Sequence, residues 1–122
     1  MSNLVVHNPA TGDVLATLKV DNSDSVNAKL KVGAEAFKSW KKTSAYERAA
    51  LLTKWAVLII ENKVDIAKVM TEENGKPLNE SLGEIDYAVS YLTWYAEEAK
   101  RIYGRTIPAS TTNKRILVRV RV

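Results

Sequence analysis

Cysteine is absent from the 122-residue sequence. This absence excludes disulfides, a thiolate nucleophile and thiolate metal ligands together, and it fits a reducing compartment. Histidine occurs once, as His7, so a zinc site lacks ligands and a hydrolytic triad lacks a credible base. Because no acidic residue or cysteine stands close to His7 in the sequence, we expect a structural or exposed histidine rather than a catalytic one.

Long apolar runs are also missing. The longest aliphatic run covers five residues, 56–60, which is far too short to span a bilayer. The first residues, MSNLVVHNPA, lack the basic start and the apolar stretch of a secretory signal peptide. These absences predict a cytoplasmic protein with no membrane partner.

The sequence has no phosphate-binding loop. Neither G-x-G-x-x-G nor G-K-[ST] occurs, and Pro77 follows Lys76 where such a loop needs a hydroxyl. Two adjacent acidic pairs, 72–73 and 97–98, fall in helical patterns, but neighbours on a helix point about 100° apart and do not converge as a catalytic dyad. The residues alone therefore assign no catalytic, cofactor-binding or metal-ligating group.

Acidic residues are absent from the last nine positions, KRILVRVRV, which hold four of the 18 basic side chains of a chain with net charge +4. Arg115, Arg119 and Arg121 would bind nucleic acid if this end were a basic recognition surface. Nucleic-acid-binding proteins usually add a docking helix or interleaved aromatic residues, and neither accompanies this segment. A half-exposed strand with one solvated face is the favoured interpretation, and no nucleic-acid partner is expected.

The N-terminal residues predict a β-hairpin. Residues 4–6 and 14–20 are rich in β-branched and aliphatic side chains. Turn-forming residues separate them, including Gly12, which tolerates a positive φ. The hairpin therefore precedes the helical part of the chain.

Apolar spacing predicts three long amphipathic helices between residues 23 and 103. The first follows N-cap candidates Ser23 and Asp24. The second begins at the capping box of Ser44 and Glu47, and its apolar band is broad enough to imply burial on more than one side. Residues 61–63 could interrupt this helix, which then continues to about residue 73. The apolar stripe of the first helix comprises Val26, Leu30, Gly33, Phe37 and Trp40.

The segment ENGKP separates the second and third predicted helices. Gly75 can take the left-handed position that ends a helix, and Pro77 fits the first turn of the next one. Lys76 is then an exposed corner residue. The third helix, 77–103, has a regular apolar pattern, and we expect its wider aromatic band to be core or interface rather than a cofactor site. That band contains Tyr87, Tyr91 and Trp94.

These patterns define a fold class of α+β, mainly helical, with an N-terminal β-hairpin, three long amphipathic helices and a C-terminal β-strand. We expect a single domain, 1–122, divided into a hairpin at 1–20, a helical part at 23–103, and a loop and strand at 105–122.

Five segments, in order, resemble the aldehyde dehydrogenase superfamily. They are NPATGDVLATL (8–18), GAEAFKSW (33–40), ERAALLTKWA (47–56), ENGKPLNES (73–81) and YLTWYAEEAKRIYGRTIP (91–108). The last is most similar to the succinate-semialdehyde dehydrogenase branch. The resemblance implies part of a fold that uses NAD or NADP to oxidise a small aldehyde to an acid with a cysteine nucleophile, a glutamate base and an asparagine oxyanion donor.

None of those catalytic groups can be placed in this sequence, and they would lie beyond Val122. RVRV also replaces the P-V-G-V-type sequence that the resemblance leads us to expect. We therefore expect an N-terminal fragment, inactive alone and without its own cofactor; a truncation, a frameshift and a naturally short reading frame all remain open. The resemblance places Tyr87 beside the aldehyde entrance tunnel. It would also place a structural cation near the carbonyls of Val6 and His7 and the carboxylate of Glu73, but we predict no metal.

The apolar bands predict self-association into a homo-oligomer, by helix packing or by strand pairing at 116–122. Two alternatives belong to other functional classes. One is a non-enzymatic helical interaction module that binds a full-length homologue, and the other is the small basic nucleic-acid binder described above.

Overall fold

A computed structural model describes residues 3–120 of the chain. The elements follow in the order β1 (Asn3–His7), β2 (Val14–Lys19), α1 (Ser23–Trp40), α2 (Ala45–Glu61), α3 (Lys63–Asn74), α4 (Leu78–Ala99), β3 (Arg105–Ile107) and β4 (Ile116–Val118). The predicted fold class is confirmed: helices dominate, and short strands stand at both ends. No helix within the described residues has the length and apolarity needed to cross a membrane.

β1 and β2 form the predicted N-terminal hairpin, paired antiparallel from Asn3 opposite Lys19 to Val6 opposite Ala16. The register shifts after Val6, so that His7 pairs with Val14. Gly12 has the expected positive φ of 80°, and its amide donates to the carbonyl of Asn8 over 2.8 Å. The turn chemistry read from the sequence therefore sets the hairpin.

The N-terminal cap of α2 is the one predicted from the sequence, whereas the cap of α1 is a different residue. Ser44 Oγ accepts from the amide of Glu47 over 3.1 Å, and Glu47 Oε2 accepts from the amide of Ser44 over 2.7 Å, which confirms the capping box. The first helix is capped by Asn22 rather than by Ser23 or Asp24. Asn22 Oδ1 accepts from the amide of Ser25, and Ser25 Oγ accepts in return from the amide of Asn22.

The long second helix of the prediction is two helices. α2 ends and α3 begins at Asn62, whose φ of −104° and ψ of 13° leave the helical range. Its side-chain amide donates to the carbonyl of Leu58 over 2.8 Å, and its backbone amide donates to the same carbonyl over 3.2 Å. The interruption foreseen at residues 61–63 is therefore a full break, and residues 3–120 contain four helices where three were predicted.

The third predicted helix also differs at its ends. Pro77 is extended and precedes the first turn of α4 instead of lying within it, while its carbonyl accepts from the amides of Glu80 and Ser81. α4 ends at Ala99, so Ile102 and Tyr103 lie outside the helix. β3 then occupies residues predicted as loop, and it pairs antiparallel with β4.

The predicted C-terminal strand is confirmed only in its first part. β4 covers Ile116–Val118, and Arg119 and Val120 follow outside the strand. Arg121 and the rest of the predicted alternation lie outside the described residues.

A small core lies where α2 and α3 pack against α4. The buried side chains are mostly alanines, which let helices approach closely. Among the described residues this core comprises Ala49, Ala56, Ala67, Ser81, Ile85 and Ala96. Many large apolar side chains of the helices are exposed, and they include Trp55, Trp94 and Leu58.

Candidate functional site

The open side of α4 carries a cluster of aromatic side chains, which we call the α4 aromatic face and define as Tyr87, Tyr91, Trp94 and Tyr95. Positions i, i+4, i+7 and i+8 fall on one side of a helix, and together with Ser90 these residues line a shallow groove. All four are exposed, from 48% for Tyr91 to 65% for Trp94. The aromatic face is therefore not part of the core of the described residues, and its role as an interface stays a prediction.

Tyr87 and Tyr91 act as a pair. Their hydroxyl oxygens lie 2.7 Å apart, and their rings meet edge to face with centroids 4.9 Å apart and planes at 89°. The hydrogen bond with Tyr87 raises the pKa of the Tyr91 phenol, and partial desolvation adds to that rise. The sequence indicated Tyr87 through the resemblance but missed the role of Tyr91, although two tyrosines four residues apart on a helix are the signal for such a contact.

Lys76 is not the exposed corner residue that the sequence predicted. Its side chain is 17% exposed, and Lys76 Nζ donates to Glu84 Oε1 over 2.6 Å. The chain folds back at the corner, so Lys76 meets the second turn of α4. A second pair, Lys63 with Asp86, joins the start of α3 to α4 in the same way, with Lys63 Nζ 2.6 Å from Asp86 Oδ1. These two pairs tie the ENGKP corner and the start of α3 to the first half of α4.

His7 lies in the N-terminal hairpin, where its Nδ1 stands 3.2 Å from the carbonyl oxygen of Gly12. That contact ties the shoulder of β1 to the turn and agrees with a structural role. Within residues 3–120, no three side chains of histidine, aspartate or glutamate come close enough together to hold a metal ion.

A dinucleotide does not fit the described residues. Both sheets are two-stranded and antiparallel, whereas dinucleotide-binding sites are built at the ends of parallel strands joined to helices. The glycine-rich turn that cradles a pyrophosphate is likewise missing from the sequence. No catalytic step through a nicotinamide can therefore be derived from this chain's own groups.

The sequence as a whole matches one protein family. A sequence profile of the aldehyde dehydrogenase family matches residues 2–121, and the chain belongs to this family. The resemblance read from the five sequence segments is thus confirmed.

Two semialdehyde dehydrogenases and one solved structure of an aldehyde dehydrogenase are similar to this chain. The chain is 46% identical over 113 residues to glutarate-semialdehyde dehydrogenase from Pseudomonas putida. It is 44% identical over 113 residues to the NADP-dependent succinate-semialdehyde dehydrogenase of Escherichia coli. The crystal structure of an aldehyde dehydrogenase from Brucella melitensis superposes with a TM-score of 0.92 at 44% identity over 95% of this chain. Similarity to the semialdehyde dehydrogenases therefore extends over nearly the whole chain.

The alignments cover only a small part of the relatives' own length. The alignments cover 93% of this chain but 24% of the Pseudomonas enzyme and 23% of the Escherichia enzyme. The chain spans about a quarter of the length of the relatives that it matches, so the fold described above is a partial aldehyde dehydrogenase fold.

Proposed function

We propose that the chain is the N-terminal structural segment of an NAD(P)-dependent semialdehyde dehydrogenase that oxidises a small aldehyde to an acid. The observation that carries this proposal is the 44–46% identity to semialdehyde dehydrogenases over 93% of the chain. Residues 1–122 act as one unit in that larger fold.

The 122 residues by themselves are proposed to be inactive. The route implied by the family resemblance requires a thiol that attacks the aldehyde carbonyl, and the sequence contains no cysteine. NAD or NADP would be bound by the remaining part of the fold, since the residues present do not fit a dinucleotide.

Within this proposal Tyr87 borders the channel through which the aldehyde enters. Tyr87 projects from the open side of α4 with 64% of its surface exposed, so a passing substrate can touch it. The hydrogen bond between the Tyr87 and Tyr91 hydroxyls holds the Tyr87 ring in one orientation, and a fixed aromatic ring shapes a channel better than a mobile one. Tyr91 is thus a positioning residue for Tyr87.

Exposed apolar side chains supply a reason for homo-oligomer formation. Large apolar side chains exposed together on a helix face are typical of an interface. Tyr91, Trp94 and Trp55 stand on helix faces, and Ile116 to Val118 form a hairpin edge that could pair with another strand. We place the assembled protein in the cytoplasm.

An assay of NADPH and NADH formation from succinic semialdehyde tests the proposal. The purified 122-residue chain is expected to give no turnover and no tight binding of either nucleotide. The Escherichia coli succinate-semialdehyde dehydrogenase, assayed in parallel, is the positive control. Turnover by the 122-residue chain, or an aldehyde adduct on it, would overturn the proposal.

A further inference from the structure

The corner between α3 and α4 contains the only step of the sequence at which glycine follows asparagine, Asn74–Gly75. An asparagine side chain can cyclise onto the backbone nitrogen of the next residue, and glycine leaves that nitrogen open to attack because it has no Cβ. The other seven asparagines precede residues that carry a side chain. Asn74 is therefore the asparagine with the highest intrinsic reactivity in this chain.

The structure leaves the Asn74 side chain outside the cap of its helix. Asn74 is the last residue of α3 and is exposed, and the helix ends through Gly75, which has a φ of 82° and a ψ of 7°. Other asparagines at such positions bind the local backbone: Asn22 Oδ1 accepts from the amide of Ser25, and Asn62 Nδ2 donates to the carbonyl of Leu58. Because Gly75 ends α3 by its backbone conformation, the cap does not require the Asn74 side chain.

The reaction open to this pair needs only water as a second reactant. The Gly75 nitrogen loses its proton and attacks Asn74 Cγ, a bond forms between these two atoms, and the bond from Cγ to Nδ2 breaks with release of ammonia. The product is a cyclic imide. Water then opens one of its two carbonyls, which leaves either aspartate or isoaspartate at position 74.

The closed corner opposes the first of these steps. The amide of Gly75 donates to the carbonyl of Thr71 over 2.8 Å, which keeps its proton engaged and its nitrogen directed along the helix. The helical backbone of Asn74 also holds its side chain away from that nitrogen. The last turn of α3 must therefore open before the ring can form.

The contacts around the corner show which part opens. Thr71 Oγ1 lies 2.8 Å from the hydroxyl oxygen of Ser81, which is fully buried, so Thr71 is anchored to α4. On the other side of Gly75, the ion pair of Lys76 with the exposed carboxylate of Glu84 holds the chain. Breaking this one pair frees residues 74–76 while the buried contact stays intact, and end turns of helices open at low cost in free energy.

We propose that Asn74–Gly75 is a self-modifying site, at which local opening of the ENGKP corner leads to the cyclic imide and then to isoaspartate or aspartate. This inference is independent of the proposed function, because no step involves an aldehyde or a nucleotide. Isoaspartate adds a methylene group to the backbone between Thr71 and Gly75, and either product adds a negative charge at the C-terminal end of α3 beside Glu73. Both changes disfavour the closed corner, so the modification is not reversed by closing.

The test incubates the folded 122-residue chain in mildly alkaline buffer. Peptide mass mapping, with an isoaspartyl methyltransferase as the probe, locates the product, and the same chain in concentrated urea provides the open reference. We expect the first modification at Asn74 and a folded rate about tenfold below the unfolded rate. Asn74→Gln should give no product at this position, because its longer side chain would have to form a larger ring.

Low concentrations of urea separate local opening from global unfolding. Opening one turn exposes little surface, so the rate at Asn74 should stay nearly constant below the unfolding transition. A rate that rises in step with the population of unfolded chain would overturn the local mechanism.

A pair of matched variants tests the ion pair. Glu84→Gln breaks the contact with Lys76 without changing a residue next to Asn74, and Glu98→Gln breaks the contact with Arg101 at the other end of α4. We expect Glu84→Gln to accelerate the folded reaction about twofold and Glu98→Gln to leave it unchanged, with equal rates for both in concentrated urea.

Three further outcomes would overturn the inference. They are an unmodified Asn74 in the folded chain after the unfolded chain has reacted, an earlier modification at another asparagine, and equal folded rates for the two glutamine variants. Amide hydrogen exchange checks the consequence: Gly75 should exchange faster in the isoaspartyl form than in the unmodified chain, and equal exchange would show that the corner still closes.

Discussion

Pro9 of the N-terminal hairpin lies directly against Gly75 at the corner between α3 and α4. A Cβ atom added at residue 75 would stand 2.8 Å from Pro9 Cγ, and Gly75 has a φ of 82°. Its amide donates to the carbonyl of Thr71 over 2.8 Å, which ends α3. Two features therefore require glycine at position 75: the positive φ of the backbone, and the close contact with Pro9 of the hairpin.

Replacing Gly75 by alanine should destabilise the chain by at least about 1 kcal/mol, the cost of a left-handed alanine. The contact with Pro9 adds to this cost, so Gly75→Ala should cost less in a Pro9→Ala background. Urea denaturation followed by circular dichroism measures the four members of this double-mutant cycle. Equal costs in the two backgrounds would mean that the hairpin turn shifts freely away from the corner.

The ion pair of Lys76 and Glu84 should couple measurably. Lys76→Met keeps the apolar stem but loses the charge, and with Glu84→Gln it should give a coupling energy of about 0.5 kcal/mol that falls as salt is added. The exposed pair of Lys68 and Asp65, 3.6 Å apart, is the matched control and should show no coupling. A coupling for Lys76 that salt leaves unchanged would contradict the electrostatic explanation.

Acid should weaken the start of α2. The amide and hydroxyl of Ser44 lower the pKa of the Glu47 carboxyl below its ordinary value. At pH values between the lowered pKa of the folded chain and the ordinary pKa of the unfolded chain, Glu47 is protonated only in the unfolded chain. Its contribution to the free energy of unfolding is therefore complete above the ordinary pKa and is lost as pH falls through the lowered pKa. Asp21 and Glu97, which also have lowered pKa values, act in the same direction.

Glu47→Gln isolates the contribution of Glu47, because the amide keeps an acceptor oxygen and does not ionise. Unfolding midpoints in urea, measured from about pH 7 to about pH 3, should fall less steeply for the variant than for the parent chain. Identical slopes would show that the cap does not titrate as described.

The Tyr87 hydroxyl should govern the titration of Tyr91. Tyr87→Phe removes the hydrogen bond that raises the pKa of Tyr91, so that pKa should fall toward its ordinary value. An absorbance titration of the phenolates follows the change. Tyr46→Phe, which removes one exposed tyrosine elsewhere, should leave the titration of Tyr91 unaltered.

The channel role of Tyr87 requires an assembled enzyme. In a chimera of this chain with the remaining part of the Escherichia coli enzyme, Tyr87→Ala should raise KM for succinic semialdehyde by several-fold, roughly the effect of losing one aromatic contact, with kcat little changed. Tyr91→Phe should raise KM less. Unchanged KM in both variants would remove Tyr87 from the channel.

Local signals predicted the ends of elements where one side chain decides them. Ser44 with Glu47 and Gly75 are such cases, since a cap or a left-handed glycine acts within one turn. Asn22 was missed because five polar residues in succession, 21–25, can each cap a helix, and the choice depends on the hydrogen bond that Ser25 Oγ accepts from the Asn22 amide. β3 was missed because its three residues carry no strand pattern of their own. They form a strand only because they pair with β4.

Periodicity indicated the apolar side of each helix, including the positions that are buried, but not the extent of the core. An apolar stripe shows which side of a helix avoids water, but not which partner covers it, and here Leu51, Trp55 and Leu58 have no cover in the described chain. Alanines at 49, 56 and 96 are buried because they are small enough for close helix contact. Periodicity likewise placed Tyr87 and Tyr91 on one side of α4 but did not show that this side is exposed in the described residues.

The near isolation of α1, in which no residue is buried, also bears on how the chain melts. A helix that shares no core with its neighbours has no reason to unfold together with them, so the cooperative unit is smaller than the chain. On heating, α1 would fray first while α2, α3 and α4 persist, and amide hydrogen exchange would be fastest along residues 23–40.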